Sequence, residues 1–161
     1  MHSLVEELSL LLQGRNLRLV SAESCTGGMI AAAVTDRAGS SAVFERGFVT
    51  YANEAKIEEL GVQSATIETY GAVSEQTALE MAQGALKNSH ADIAVSVTGI
   101  AGPGGGTDLK PVGLVYIGIA QHNKAPAAYK NNFDGDRRSI RQATVEKALE
   151  LLIETLSTRT V

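Results

Sequence analysis

At 161 residues, with 44% hydrophobic and 20% charged content, the chain has the size and balance of one folded domain, which excludes disordered and fibrous classes. A formal charge of -4 and a pI near 5.4 leave no broad basic surface, arguing against a sequence-independent grip on a nucleic-acid backbone. The single cysteine, Cys25, can form neither an internal disulfide nor a cysteine-based metal cage, which fits a reducing compartment. Met1 to Gln13 contains Glu6 and Glu7 and no basic start before an apolar block, so it does not read as a secretory signal. No apolar run approaches the roughly 20 residues needed to cross a bilayer, and the cytoplasm is the expected location. In chain order, Leu4, Leu8, Leu11 and Leu12 recur at helical spacing before Gly14, predicting an amphipathic first helix. Leu17 to Ser21 reads as a strand, followed by the polar turn Ala22 to Gly28 and a helix from about Gly28 to Arg37. Ala38 to Ser41 breaks that helix, and Glu45 to Tyr51 is the second strand. Asn53 caps a short helix through Leu60, and Ser74 opens a longer one to about Asn88. Asp92 to Thr98 is the most apolar strand and is expected at the centre of the sheet. Gly99 to Gly113 is a loop, and Leu114 to Ala120 pairs with Ala127 to Phe133 across the turn Gln121 to Lys124. A helix from about Asp136 through Leu156 closes the chain. These elements predict a three-layer α/β/α sandwich whose sheet is mixed and mostly parallel, with the late strands antiparallel.

Small polar residues and glycines gather after the first and third strands, where open α/β sheets form their ligand crevices. Glu23-Ser24-Cys25-Thr26-Gly27-Gly28 has the composition of a strand-to-helix turn whose N–H groups meet an anion or oxyanion; a capped tight turn would look the same. The run Thr98 to Thr107 is rich enough in glycine to suggest close backbone approach to a ligand, against the alternative of a plain surface loop. It fits neither the phosphate loop ending in Gly-Lys-Ser/Thr nor the dinucleotide fingerprint. Tyr51 and Lys56 come off the end of the second strand. His2, His90 and His122 lie outside every glycine-rich turn, which argues against a Ser-His-Asp triad and against histidine ligation of a metal. In a hydrolase of this sequence Lys56 is then the best group to take a nucleophile's proton, provided that burial or nearby positive charge lowers its pKa. Asp134-Gly135-Asp136-Arg137-Arg138 precedes the last helix, and two arginines there oppose the helix dipole, an arrangement explained if one of them binds an anion, the alternative being a plain surface pair.

Five strings in order, SAESCTGG, GSSAVFERGFVTYANEAK, GAVSEQTALEMAQGAL, SVTGIAGPGGGTDLKPVG and GDRRSIRQ, resemble the CinA C-terminal domain family from about Leu4 to Leu156. The resemblance implies a mixed-sheet α/β/α fold, a homodimer and no metal or cofactor. Stand-alone members are nicotinamide-nucleotide amidases, so it also implies conversion of nicotinamide mononucleotide to nicotinic acid mononucleotide and ammonia. The larger N-terminal domain of many CinA proteins is not part of the match, and its activities are not implied. The family's functional residues fall on Ser24, Ser41, Tyr51, Lys56, Thr98 and Arg138. The mechanism this suggests has Ser24 as nucleophile, with Ser41 the competing choice, Lys56 as base and Tyr51 relaying a proton. Backbone N–H groups from Cys25 through Thr26 and Gly27 to Gly28 make one candidate oxyanion hole, those from Gly99 onward another, and Arg138 with Thr98 would hold the nucleotide phosphate. Cys25, at a helix start, is a further candidate nucleophile without a histidine partner. Two rivals remain open at this point: a non-catalytic nucleotide-binding module, and a competence- or DNA-damage-associated interaction protein, against which the acidic balance and 4% aromatic content speak.

Overall fold

The computed structural model describes residues 1–158. Its centre is a five-stranded sheet made of β1 (Leu19–Glu23), β2 (Phe44–Val49), β3 (Ile93–Gly99), β4 (Leu114–Gln121) and β5 (Ala127–Asn132), in the order β2-β1-β3-β4-β5. β1 is parallel to β2 and β3, whereas β4 is antiparallel to both β3 and β5. The expected mixed sheet with β3 at its centre is present. Helices α1 (His2–Gly14), α2 (Met29–Thr35) and α6 (Arg137–Ser157) cover one face. Helices α3 (Asn53–Leu60), α4 (Ser64–Tyr70) and α5 (Glu75–Lys87) lie on the other. Among the described residues no helix is long and apolar enough to cross a membrane.

The alternation of strand side chains separates the two cores. On β3, Ile93, Val95 and Val97 join the cluster under α1, α2 and α6, while Ala94 faces α5. The α5 side is built from small residues, which lets the backbone come close. A Cβ on Gly118 would lie 2.6 Å from Ala78 O of α5, and the Ser96 hydroxyl donates to that same carbonyl at 2.6 Å. Helix α3 is seated in turn on α5 at Gly84, where a Cβ would lie 1.8 Å from Leu60 O. This backbone contact fixes the helix that carries Lys56.

Several boundaries differ from the sequence expectation. β1 begins and ends two residues later than predicted and runs through Glu23, because all five of its residues are buried between β2 and β3. α2 starts only after Gly28, whose φ of +103 is the left-handed region that a glycine accommodates. The cap of α3 is Ala52, with no side-chain hydrogen bond, so Asn53 is the first helical residue and not the cap. Helix α4 was not expected: it buries no residue and presents no apolar period, and only Ile67 packs against the core. On α6 the Asp136 carboxylate accepts from Ser139 N–H at 2.8 Å, a hydrogen bond that also holds its pKa below the ordinary value.

Candidate functional site

Three chain segments leave the same edge of the sheet: the turn after β1, the crossing from β2 into α3, and the glycine-rich loop after β3. Ser24 is the first residue beyond β1, and its N–H still donates to Val97 O of β3 at 3.0 Å. On the other side Thr50 N–H donates to Glu23 O at 2.9 Å. The sheet register thus extends one step past the strands and holds Ser24 between its two parallel neighbours.

Lys56 sits on the first turn of α3, where side chains lean back toward the helix N-terminus. Its Nζ therefore reaches the residues that precede the helix, donating to Thr50 O at 2.8 Å and Tyr51 O at 3.2 Å. The same nitrogen is 2.9 Å from Ser24 Oγ. Lys56 is only 1% exposed, and no carboxylate pairs with it among the described residues. Burial lowers its pKa from the ordinary lysine value, against a smaller opposing pull from Cys25.

Ser24 and Lys56 open onto a cavity of about 280 Å³, also lined by Cys25, Tyr51, Asn53, Thr98, Gly99 and Arg137. Its basic lining residues are Arg137 and the buried Lys56, and no carboxylate is among the lining residues, a balance that suits an anionic ligand. Arg137 donates to Tyr51 Oη at 3.0 Å and to Gly102 O at 2.9 Å, tying α6 to two other walls.

The remaining expected site residues divide. Tyr51 is in the wall, but its phenol is 60% exposed and engaged by Arg137, and it is the Tyr51 carbonyl that meets Lys56. Gly99 borders the cavity; a Cβ there would lie 2.8 Å from Leu114 O. Thr98 also borders it, and its hydroxyl proton is already donated to the carbonyl of Ala72, another lining residue, at 2.8 Å. Thr26 is fully buried, and its hydroxyl donates to Glu23 Oε1 at 2.6 Å. Gly27 and Gly28, at φ +57 and +103, shape the turn.

Two of the expected residues lie away from this cavity. Ser41 lies in the exposed 3-10 turn Ser40–Ala42 that leads into the start of β2. Leu19 is paired with Phe44 there, so Ser41 is at the edge of the sheet opposite Ser24 and cannot share its cavity within one chain. Arg138 is exposed and does not line the cavity. One helical step rotates it by about 100° from Arg137, which takes the place expected for it.

Arg141 was not singled out by the sequence, and Glu23 and Arg137 were read there only as members of the turn after the first strand and of the arginine pair before the last helix. The Glu23 carboxylate is fully buried and accepts from Thr26 Oγ1, Ile30 N–H and Ala31 N–H, anchoring the turn to the start of α2. Arg141 donates from Nε to Cys25 O at 3.0 Å and from Nη2 to Thr26 O at 3.2 Å. A readable signal existed for the arginines: 137 and 141 are four apart and so share one face of α6. Burial pushes the Cys25 thiol up to about 11, so this cysteine stays protonated near neutral pH. Among the described residues the N–H groups of Cys25 and Thr26, next to Ser24, make no hydrogen bond to another residue, and that of Cys25 lies against its own thiol.

The CinA C-terminal domain family matches residues 1–156. The nicotinamide-nucleotide amidohydrolase PncC of Enterobacter agglomerans is 53% identical over 90% of this chain and 89% of its own length. A CinA-like protein of Chloroherpeton thalassium is 51% identical over 96% of this chain, but the match covers 37% of that protein. The chain likewise spans about a third of the length of several other curated relatives it matches. The crystal structure of the competence/damage inducible protein CihA from Agrobacterium tumefaciens superposes with a TM-score of 0.94 at 51% identity, covering 98% of this chain and 95% of that one.

Proposed function

Because this chain belongs to the CinA C-terminal domain family, we propose that it hydrolyses the carboxamide of nicotinamide mononucleotide to nicotinic acid mononucleotide and ammonia, with Ser24 as nucleophile and Lys56 as base. The observation that carries this reading is the 2.9 Å contact between Lys56 Nζ and Ser24 Oγ in a buried setting that lowers the lysine pKa. A neutral amine has two N–H bonds and one lone pair. With Thr50 O and Tyr51 O accepting the two N–H bonds, the lone pair is left for the Ser24 hydroxyl proton.

In the proposed sequence Lys56 takes the Ser24 proton as Ser24 Oγ attacks the carboxamide carbon, and the carbonyl oxygen becomes an oxyanion. The N–H of Cys25, which lines the cavity beside Ser24, is the donor for that charge in this reading. Lys56 then passes its proton to the departing nitrogen, the C–N bond breaks, and ammonia leaves an ester on Ser24. Water adds to the ester with Lys56 again as base, and the proton returns to Ser24 as the acid departs. Arg137 is the phosphate ligand in this reading, as the cation facing the cavity that does not contact Ser24. Tyr51 acts through its carbonyl, which orients Lys56, and through its phenol, which orients Arg137.

The reading extends to a cytoplasmic enzyme that works as a homodimer, supported by the family resemblance; a solution mass equal to one chain would remove the dimer. The function itself is tested by ammonia release from nicotinamide mononucleotide, nicotinamide riboside and free nicotinamide. Release from the mononucleotide with a large preference over the other two is expected. Equal rates on the riboside would remove the phosphate from recognition, and no release from any of the three would remove the activity.

A further inference from the structure

The cavity beside Ser24 is graded from inside to outside. Ser24, Cys25 and Lys56 are buried on its floor, whereas Tyr51, Asn53 and Arg137 are exposed on its rim. Half-buried Ala72, Val73 and Ile100 supply an apolar wall.

The polar side chains of this cavity are mostly taken. Lys56 Nζ meets Ser24 Oγ and two carbonyls, the Thr98 hydroxyl donates to Ala72 O, and Arg137 joins Tyr51 Oη and Gly102 O. Asn53 is the exception. Among the described residues no hydrogen bond engages its amide, and it is not spent on the helix either, since the cap of α3 is Ala52. Lys56 is three positions on, so the two side chains share one face of α3 and lean toward its N-terminus, where Tyr51 also borders the cavity.

A free amide offers a donor and an acceptor side by side. Nicotinamide mononucleotide has three polar parts, and two are already placed: its carboxamide must reach Ser24 on the floor, and its phosphate suits the Arg137 guanidinium on the rim. The ribose joins the ring to the phosphate, so a nucleotide held at both ends lays its sugar near the rim. A vicinal diol matches an amide, one hydroxyl donating to the carbonyl oxygen and the other accepting from the NH2. An ionised phosphate oxygen only accepts, and the apolar ring does neither.

We propose that Asn53 reads the ribose of the substrate, its side-chain amide hydrogen-bonding the 2′ and 3′ hydroxyls, and so sets a preference for the ribonucleotide. The proposal rests on the reading of nicotinamide mononucleotide as substrate with its phosphate on Arg137. It gives Asn53 a part in binding and none in the bond-breaking steps.

The test measures ammonia release by wild type, Asn53→Ala and Asn53→Leu from nicotinamide mononucleotide and from its 2′-deoxy and 3′-deoxy forms. Leucine keeps the branched shape of asparagine without its polar atoms, so the pair of variants separates lost hydrogen bonds from lost bulk. Both should fold by circular dichroism, since the residue is exposed and its amide holds nothing in place. Wild type should lose about tenfold in kcat/KM on each deoxy substrate, the upper end for one neutral hydrogen bond. Both variants should lose about 10- to 30-fold on the mononucleotide, and for them the ribo and deoxy forms should come within about threefold of each other. In an Arg137→Ala background the loss from Asn53→Ala should persist within about threefold, because the two side chains hold different groups. A loss that vanishes in that background would put Asn53 on the phosphate and overturn the proposal. So would a wild type indifferent to both hydroxyls, or a preference for the ribo form that survives in the variants. No ammonia from wild type on any of the three substrates would remove the function and this proposal together, whereas an active wild type with an unchanged preference in the variants removes the proposal alone.

Discussion

The turn that follows β1 and the loop that follows β3 border the same cavity, yet they are built in opposite ways. From Ser24 to Thr26 the turn is buried, and its carbonyls are held by Gly27 N–H and Arg141, its hydroxyl by Glu23. The loop has a buried base at Ala101 and Gly102, but Pro103 to Leu109 are exposed, Leu109 at 91%. It is tied down at a few points, chiefly Gly102 O to Arg137 and Thr107 N–H to Lys110 O. A nucleophile must be held to a fraction of an ångström, so a turn whose carbonyls and hydroxyl are all engaged suits it. The wall of a ligand cavity can be looser, and glycine backbone allows close approach without fixing a single shape.

Breaking the rigid side should have the largest effect. Ser24→Ala and Lys56→Ala should each lower kcat by at least about 1000-fold, within the range for loss of a nucleophile or its base, with the fold retained by circular dichroism. A Lys56→Ala enzyme within tenfold of wild type (roughly 1.4 kcal/mol) would end the account of the base. The pH dependence sharpens the same point. Only the neutral amine accepts a proton, so kcat/KM should rise with pH toward the depressed lysine pKa and then level. Stability carries the matching sign. Between the lowered folded pKa and the ordinary 10.5, the unfolded chain binds more protons than the folded one. Wild-type stability should therefore gain a rising contribution across that window, complete above it, and Lys56→Met should lack that contribution in denaturant titrations at stepped pH.

Next in size is the bridge between the two regions. Arg137→Ala should raise KM by about 10- to 100-fold, the worth of charged hydrogen bonds to a phosphate, while Arg138→Ala should change it by less than about threefold. The opposite ranking would move the phosphate to Arg138. Cys25→Ser should leave kcat within about fivefold, because a thiol whose pKa is pushed up to about 11 supplies little thiolate near neutral pH. Alkylation that follows loss of activity and disappears in Cys25→Ser would revive the thiol. Smallest of all should be Gly104→Ala, where a Cβ meets nothing within 4 Å and φ is ordinary; about 0.5 kcal/mol or less is expected by thermal melting. Gly28→Ala at φ +103 should destabilise by about 1 kcal/mol or more, and equal effects at the two glycines would erase the contrast between turn and loop.

Much of this arrangement could be read from the sequence. Apolar runs at β1 and β3 and the glycine-rich segments after them placed two loops at one sheet edge, and the motif strings put Ser24 and Lys56 on neighbouring connections. What could not be read depends on tertiary direction. Arg137 and Arg138 are chemically identical neighbours, and only the docking of α6 decides which faces the cavity. Ser41 matches the family string, but a parallel strand returns the chain to the opposite edge before β2 begins. Arg141 works through backbone carbonyls 115 and 116 residues away, an interaction that leaves no local pattern. Helix α4 lacks both an apolar period and a side-chain cap, so the sequence gives it no signature.

The central claim is a covalent bond to one hydroxyl, and acid-quenched mass spectrometry of the enzyme turning over nicotinamide mononucleotide tests it most directly. The account predicts the added mass of the acylated nucleotide on the peptide containing Ser24, absent in Ser24→Ala. An adduct on a peptide containing Ser41, or continued turnover by Ser24→Ala, would contradict it.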